Sequence, residues 1–232
     1  MAPILREFAG PWALAEALAA SVAGDLRAAI DARARATLVL SGGSTPRRFL
    51  EALSRQALAW ESVAVTLADE RWVPPDHERS NERLLRDTLL RGDAAAARFV
   101  PLYREDCGPP DAALATIADD LAALPVPYDA VVLGMGSDGH CASLFPDGDL
   151  TREALRTDAT ARVFAIRAPS AGETRITLTL PALAATRAMY LHIEGEAKRD
   201  VLTRALAEVV PATPIACVLA AAAATPEIFY CP

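Results

Sequence analysis

The chain has 232 residues, 52% of them apolar and 23% charged, a balance that excludes a disordered chain and gives ample length for a core. Its formal net charge of −7 argues against nucleic acid or an anionic membrane as the main partner; a small anionic substrate stays open, because local basic residues can outweigh the global balance. Four scattered cysteines (Cys107, Cys141, Cys217 and Cys231) lack metal-type spacing and fit a reducing cytosol.

The first residues carry charges at Arg6 and Glu7 and no long apolar core, so no signal peptide is expected. Leu14, Leu18, Val22, Leu26 and Ile30 recur every four residues, the stripe of an amphipathic helix. Residues 37–40 read as a short buried strand. SGGSTP (41–46) follows, then a helix over 47–58 that Ser44 or Thr45 can cap and Pro46 can open. A strand over 63–67 ends in ADERWVPP, and a polar loop leads to a helix from Ser80 to about Leu90. Strands are expected at 99–102, 130–133, 162–167, 189–193 and 227–230, with helices at 111–124, 174–185 and 196–209. The segment 174–185 mixes β-branched residues with helix formers and is read as helix. The apolar run 215–224 is too short to span a bilayer. This alternation predicts one α/β domain over 1–232, a Rossmann-like parallel sheet with helices on both faces.

Chemistry concentrates in the run from Asp129 to Pro146, DAVVLGMGSDGHCASLFP. A buried strand breaks there into a glycine-rich turn that ends in Asp138, Gly139 and His140. Ligands of open parallel sheets bind at the carboxyl ends of strands, and histidine is the default proton carrier near neutral pH. Gly134, Gly136 and Gly139 also spell GxGxxG. The dinucleotide reading fails because Pro146 blocks a long helix after the loop and no acidic residue stands at the end of a second strand about 20 residues on.

Gly42, Gly43, Ser44 and Thr45 at a helix start offer backbone N–H groups, hydroxyls and the positive end of a helix dipole, an anion site without the lysine of a Walker A loop. A tight turn that merely needs glycine is the plain alternative. Asp69, Glu70 and Arg71 end the next strand, where charged residues are expected to face a cleft and Arg71 can grip phosphate in a forked manner; a solvated loop with acid and base paired is the alternative. Lys198, Arg167 and Arg175 each fit an ordinary surface charge, but together with SGGSTP they could surround one phosphate. His77 reads as a solvated loop residue and His192 as a structural strand residue. No metal signature appears, so a site without metal or cofactor is expected.

SGGSTP, DERWVP with ERSNERLLRDTLL, LGMGSDGHCASLFP, and RITLTLPAL leading to EGEAK stand in one order over residues 38–198. In this the chain resembles 6-phosphogluconolactonases. The resemblance implies hydrolysis of 6-phospho-D-glucono-1,5-lactone to 6-phosphogluconate, the second step of the oxidative pentose phosphate pathway, on a Rossmann-like fold shared with glucosamine-6-phosphate deaminases. It makes His140 similar to the family's general base and Asp138 to its neighbouring acid. It puts Gly42, Gly43, Ser44, Arg71 and Lys198 near the substrate, with Arg175 less securely placed. Asp138 then either orients the imidazole or binds a sugar hydroxyl, and loop N–H groups near 136–139 are expected to hold the oxyanion. A deaminase using Asp69 as base and a non-catalytic sugar-phosphate sensor are the rival readings. The expected protein is a cytoplasmic monomer acting on a small sugar-phosphate lactone, without nucleic acid or membrane.

Overall fold

The strands of the main sheet form where apolar, β-branched residues run together, and both ATLVL and AVVL are buried at every position. Such runs suit a parallel sheet covered on both faces, where no residue alternates into water. The computed structural model describes residues 2–208 and 212–232. In chain order the elements are β1 (Ile4–Glu7), α1 (Pro11–Arg33), β2 (Ala36–Leu40), α2 (Arg47–Ser54), β3 (Val63–Leu67) and β4 (Asp69–Arg71). There follow α3 (Asn81–Thr88), β5 (Arg98–Val100), α4 (Pro110–Ala122), β6 (Ala130–Leu133), α5 (Thr151–Ala154) and β7 (Val163–Ile166). The chain closes with β8 (Arg175–Leu178), α6 (Leu180–Ala184), β9 (Met189–Glu194), α7 (Glu196–Leu206), α8 (Pro214–Ala221) and β10 (Glu227–Cys231).

Seven strands form one sheet in the order β1-β10-β9-β6-β2-β3-β5, with every pairing parallel. From β2 the chain steps outward through β3 to β5. It then returns to β6 and steps the other way through β9 and β10. The direction reverses between β2 and β6, and the crevice at such a reversal is where doubly wound sheets bind ligands. SGGSTP leaves β2 and the Asp138–His140 loop leaves β6, so both candidate loops flank that point. The Rossmann-like expectation holds, with helices flanking the sheet.

A second, antiparallel sheet of order β4-β8-β7 stands beside the first. It corrects the helix expected over 174–185: RITL is a fully buried strand paired on both sides, and the helix α6 begins only at Leu180, with Pro181 in its first turn. Cross-strand pairing decided what local propensity left mixed. The helix after SGGSTP stops at Ser54 rather than residue 58, and Pro46 precedes it without a side-chain cap from Ser44 or Thr45. In α7 the helix ends at Leu206, and residue 209 of the expected helix lies outside the described residues. Among the described residues no helix is long and apolar enough to cross a membrane.

Candidate active site

The loops from β2 and β6, the ribbon β4–β8 and the start of α7 enclose a cleft of about 350 Å³. Ser41 to Pro46, Asp69, Arg71, His140, Arg175 and Lys198 all line it. Two sheets thus bring together residues that stand more than 150 positions apart in the chain.

On one wall the imidazole of His140 meets its acid. The Asp138 Oδ1 atom lies 2.5 Å from His140 Nδ1 and also accepts the His140 backbone N–H at 3.1 Å. Nδ1 is therefore committed to the carboxylate, which leaves Nε2 as the nitrogen open to the cleft. Asp138 holds one edge of the ring. The loop folds back over Gly136, where an added Cβ would sit 2.2 Å from the imidazole and 2.7 Å from Asp138 Oδ1. Only glycine leaves that room. Gly136 N–H donates to the His140 carbonyl at 2.9 Å and Gly139 N–H to the Gly136 carbonyl at 3.1 Å. Those two amides hold the loop's shape and are spent, so the expected oxyanion donors in 136–139 reduce to the amides of Ser137 and Asp138.

The loop expected to cradle an anion lines the same cleft. Among the described residues, the amides of Gly42, Gly43, Ser44 and Thr45 donate to no other backbone group. Gly43 has a φ of +98°, the left-handed region that glycine enters freely. Gly42 is held for a different reason: a Cβ there would fall 1.9 Å from Asn81 Oδ1. Lys198 donates from Nζ to Thr45 Oγ1 at 3.3 Å, tying α7 to this loop, and burial pushes its ammonium below the ordinary lysine range. Thr45 thus serves Lys198 instead of capping α2.

β4 distributes its charges by the two-residue period of a strand. Asp69 and Arg71 line the cleft, while Glu70 points away and is fully buried, which corrects the expectation that all three face the ligand. Glu70 accepts from the backbone N–H groups of Arg71, Asn81 and Glu82, each at 2.7 Å, and from Ser80 Oγ at 3.1 Å. Asp69 accepts from Ser143 Oγ at 2.5 Å. Arg71 and Arg175 are direct cross-strand partners. Arg71 Nη1 donates to the Arg79 carbonyl, and the Nε atoms of both Arg71 and Arg175 are buried without a partner. Burial first, and the Arg71 charge second, push the Arg175 guanidinium below its ordinary value. Like charges set opposite each other repel, so this pair would gain from an anion between them.

Of the candidates, Arg167 stands away from the cleft, and Asp138 does not line it but is joined to it through His140. Arg167 is exposed, pairs with Asp111, and donates its backbone N–H to Asp149 Oδ1 at 2.9 Å. The cleft also takes in residues that the motifs did not single out: Arg79, Asn81, Phe145, Ser170 and His192. Arg79 and Asn81 lie inside the quoted ERSNERLLRDTLL stretch, so a signal for them existed. His192 keeps a structural hold, with Nε2 3.1 Å from Glu194 Oε1, yet it lies in the cleft wall.

Fold and site together define a doubly wound α/β enzyme that works on a small anionic molecule at its switch point. The chain belongs to the glucosamine-6-phosphate isomerase/6-phosphogluconolactonase family, whose model matches residues 10–226. It is 47% identical to a 6-phosphogluconolactonase of Rhizobium meliloti over 233 residues, covering 100% of both chains. A 6-phosphogluconolactonase of Pseudomonas aeruginosa is 47% identical over 83% of this chain and 81% of its own. The crystal structure of a 6-phosphogluconolactonase from Shewanella baltica superimposes with a TM-score of 0.95 at 40% identity, over 99% of this chain and 98% of that one. A monomeric glucosamine-6-phosphate deaminase, 16% identical with a TM-score of 0.79, shares the fold alone.

Proposed function

We propose that this chain is a 6-phosphogluconolactonase, a carboxylic ester hydrolase that converts 6-phospho-D-glucono-1,5-lactone to 6-phospho-D-gluconate in the second step of the oxidative pentose phosphate pathway. One observation carries the reading most: an imidazole with Nδ1 held by a carboxylate at 2.5 Å shares a cleft with an anion cradle. The lactonase relatives support the substrate, and the deaminase alternative is not favoured.

The substrate phosphate enters the cradle of Gly42, Gly43, Ser44 and Thr45 with Lys198, and Arg71 and Arg175 supply further positive charge. That grip holds C1 beside His140. His140 Nε2 takes a proton from water as the water oxygen bonds to C1, and the carbonyl electrons move onto the oxyanion. The amides of Ser137 and Asp138 are the donors of residues 136–139 not used in backbone bonds, and they are assigned to that charge. Collapse breaks the bond from C1 to the ring oxygen, which takes the proton back from the imidazolium. Asp138 keeps the ring in place throughout and stabilises its charged form. A six-membered lactone is an activated ester, so this path needs no covalent nucleophile, metal or cofactor. Residues 1–232 act in this reading as one cytoplasmic, monomeric unit without nucleic acid or membrane.

The test is hydrolysis of freshly made lactone at pH 6.5 to 7, coupled to 6-phosphogluconate dehydrogenase, with spontaneous hydrolysis subtracted. A positioned general base contributes about 10²–10⁴-fold, or about 3–5 kcal/mol. His140→Ala is expected to lose roughly 10²-fold or more in a folded protein. Full activity in that variant would remove His140 as base, and an inactive parent would remove the function.

A further inference from the structure

The chain after His140 turns back on itself at once. Leu144 N–H donates to the Cys141 carbonyl at 3.1 Å, and Cys141 and Leu144 form an antiparallel bridge. Ala142 makes this turn possible with a φ of +49°, a left-handed conformation that a non-glycine residue rarely adopts. Ser143 anchors the turn to β4 through Asp69. His140 and Phe145 are the next residues outward on the two arms, so the turn sets them face to face. Their ring centroids lie 4.4 Å apart with 35° between planes.

Phe145 is only 5% exposed, yet it does not join the main core: it forms a small separate cluster with Ala168 and Ala171. Its other neighbour is charged, with Arg175 Cζ 5.5 Å from the ring centroid. The ring therefore touches both the imidazole and the guanidinium. The two are not equally dependent on it. Arg175 is also held by the Ala171 carbonyl at 3.1 Å and by Glu173 at 3.8 Å. The imidazole has only its Nδ1 bond to Asp138, whose side chain is 41% exposed, so side-chain torsions of the two together can still carry Nε2 away. A flat aromatic surface against its face removes that freedom.

We infer that Phe145 is a positioning residue for His140: its ring fixes the plane of the imidazole and so aims Nε2 at the water that attacks the lactone. This rests on the lactonase reading for its kinetic consequence, though the stack itself does not. Misplacing a reacting group by about 1 Å can cost on the order of 10²-fold. Phe145→Leu is expected to lower kcat about 10-fold or more while KM stays within about twofold, because Arg175 keeps its own partners. Phe145→Tyr, which restores a ring, is expected to recover most of kcat. A residue that merely fills space would move thermal stability and leave no such split.

Proton NMR gives a second readout that needs no substrate. The parent should show nuclear Overhauser contacts between the His140 and Phe145 ring protons, with the His140 Cε1–H resonance identified by its loss in His140→Ala. In Phe145→Leu that resonance should move downfield as the ring current disappears. Absent ring contacts in the parent, or a folded Phe145→Leu with unchanged kcat, would overturn the inference. So would a loss confined to KM. If Phe145→Leu does not fold, the parent's ring contacts and the volume-conserving Phe145→Met decide. An inactive parent with intact ring contacts would instead count against the lactonase reading.

Discussion

At the scale of single residues, the contacts of Asp138 favour one of the two roles that composition and spacing left open. A carboxylate two positions before a histidine can bind substrate or orient the ring. Here one oxygen accepts both from the His140 backbone and at its Nδ1, which is the geometry of an orienting group. Asp138→Asn keeps the size and one acceptor but loses the charge that stabilises the imidazolium. Its kcat is expected to fall roughly 10–10²-fold, with KM and the melting temperature little changed, because the pair is partly exposed and carries little stability. Steady-state kinetics beside a circular dichroism melt check this; a rise in KM at constant kcat would return Asp138 to the substrate-binding role. His140, Asp138, Gly42, Gly43, Ser44, Arg71 and Lys198 were legible because each sits in a local pattern of strand, turn and polar side chain. Phe145 and Ser143 were not, because their roles arise from a turn that only a left-handed Ala142 permits. Arg167 misled for the opposite reason: it stands at a strand's carboxyl end, but two aspartates hold it outside the cleft.

Between elements, Glu70 is the tie that sets the cleft's rim. Its carboxyl group joins β4 to the start of α3 through the backbone N–H groups of Asn81 and Glu82 and through Ser80 Oγ, which fixes Asn81 against Gly42. Burial pushes this carboxyl up to about 7, against the pull of its donors. The folded protein then holds a proton between 4.5, its ordinary value, and about 7, where the unfolded chain has released it. Stability from this group is therefore lost as pH rises through that window. Urea unfolding of the parent and Glu70→Gln at pH 5 and pH 7.5 isolates the effect. Relative to its parent, the variant should gain about 1–3 kcal/mol at the higher pH; a difference that does not change with pH would show the carboxylate ionised throughout. The strands β2, β3, β6, β9 and β10 could be read from their apolar runs. β1 could not, since all four of its residues are exposed at the sheet edge, and β8 could not, since only its partners β4 and β7 make a strand of RITL.

For the molecule as a whole, the cleft joins two sheets, and its cationic groups come from both. Lys198, on α7 after β9, and the SGGSTP loop, after β2, extend from the seven-stranded sheet, while Arg71 and Arg175 stand in the three-stranded one, so an anion bound as proposed would bridge them. Arg175 is a poorly compensated buried cation: its side chain is 6% exposed, its ion pair with Glu173 is long at 3.8 Å, and Arg71 lies opposite. Replacing a poorly compensated buried charge with an apolar chain of similar volume is often neutral or stabilising, and functional sites commonly trade stability in this way. Arg175→Met should therefore melt about 2–4 °C higher than the parent in the absence of ligand, the shift that about 1 kcal/mol produces in a chain of this size. The product 6-phosphogluconate at about 100 times its Kd should stabilise the parent by about 2.7 kcal/mol. The same concentration should give the variant a much smaller shift, because the charge that made the empty protein less stable is the one the anion needs. Thermal melts of both proteins with and without product measure the two effects together. A variant that melts lower when empty would show Arg175 to be a structural cation held by Ala171 and Phe145, and an unchanged ligand shift would take it out of the anion site.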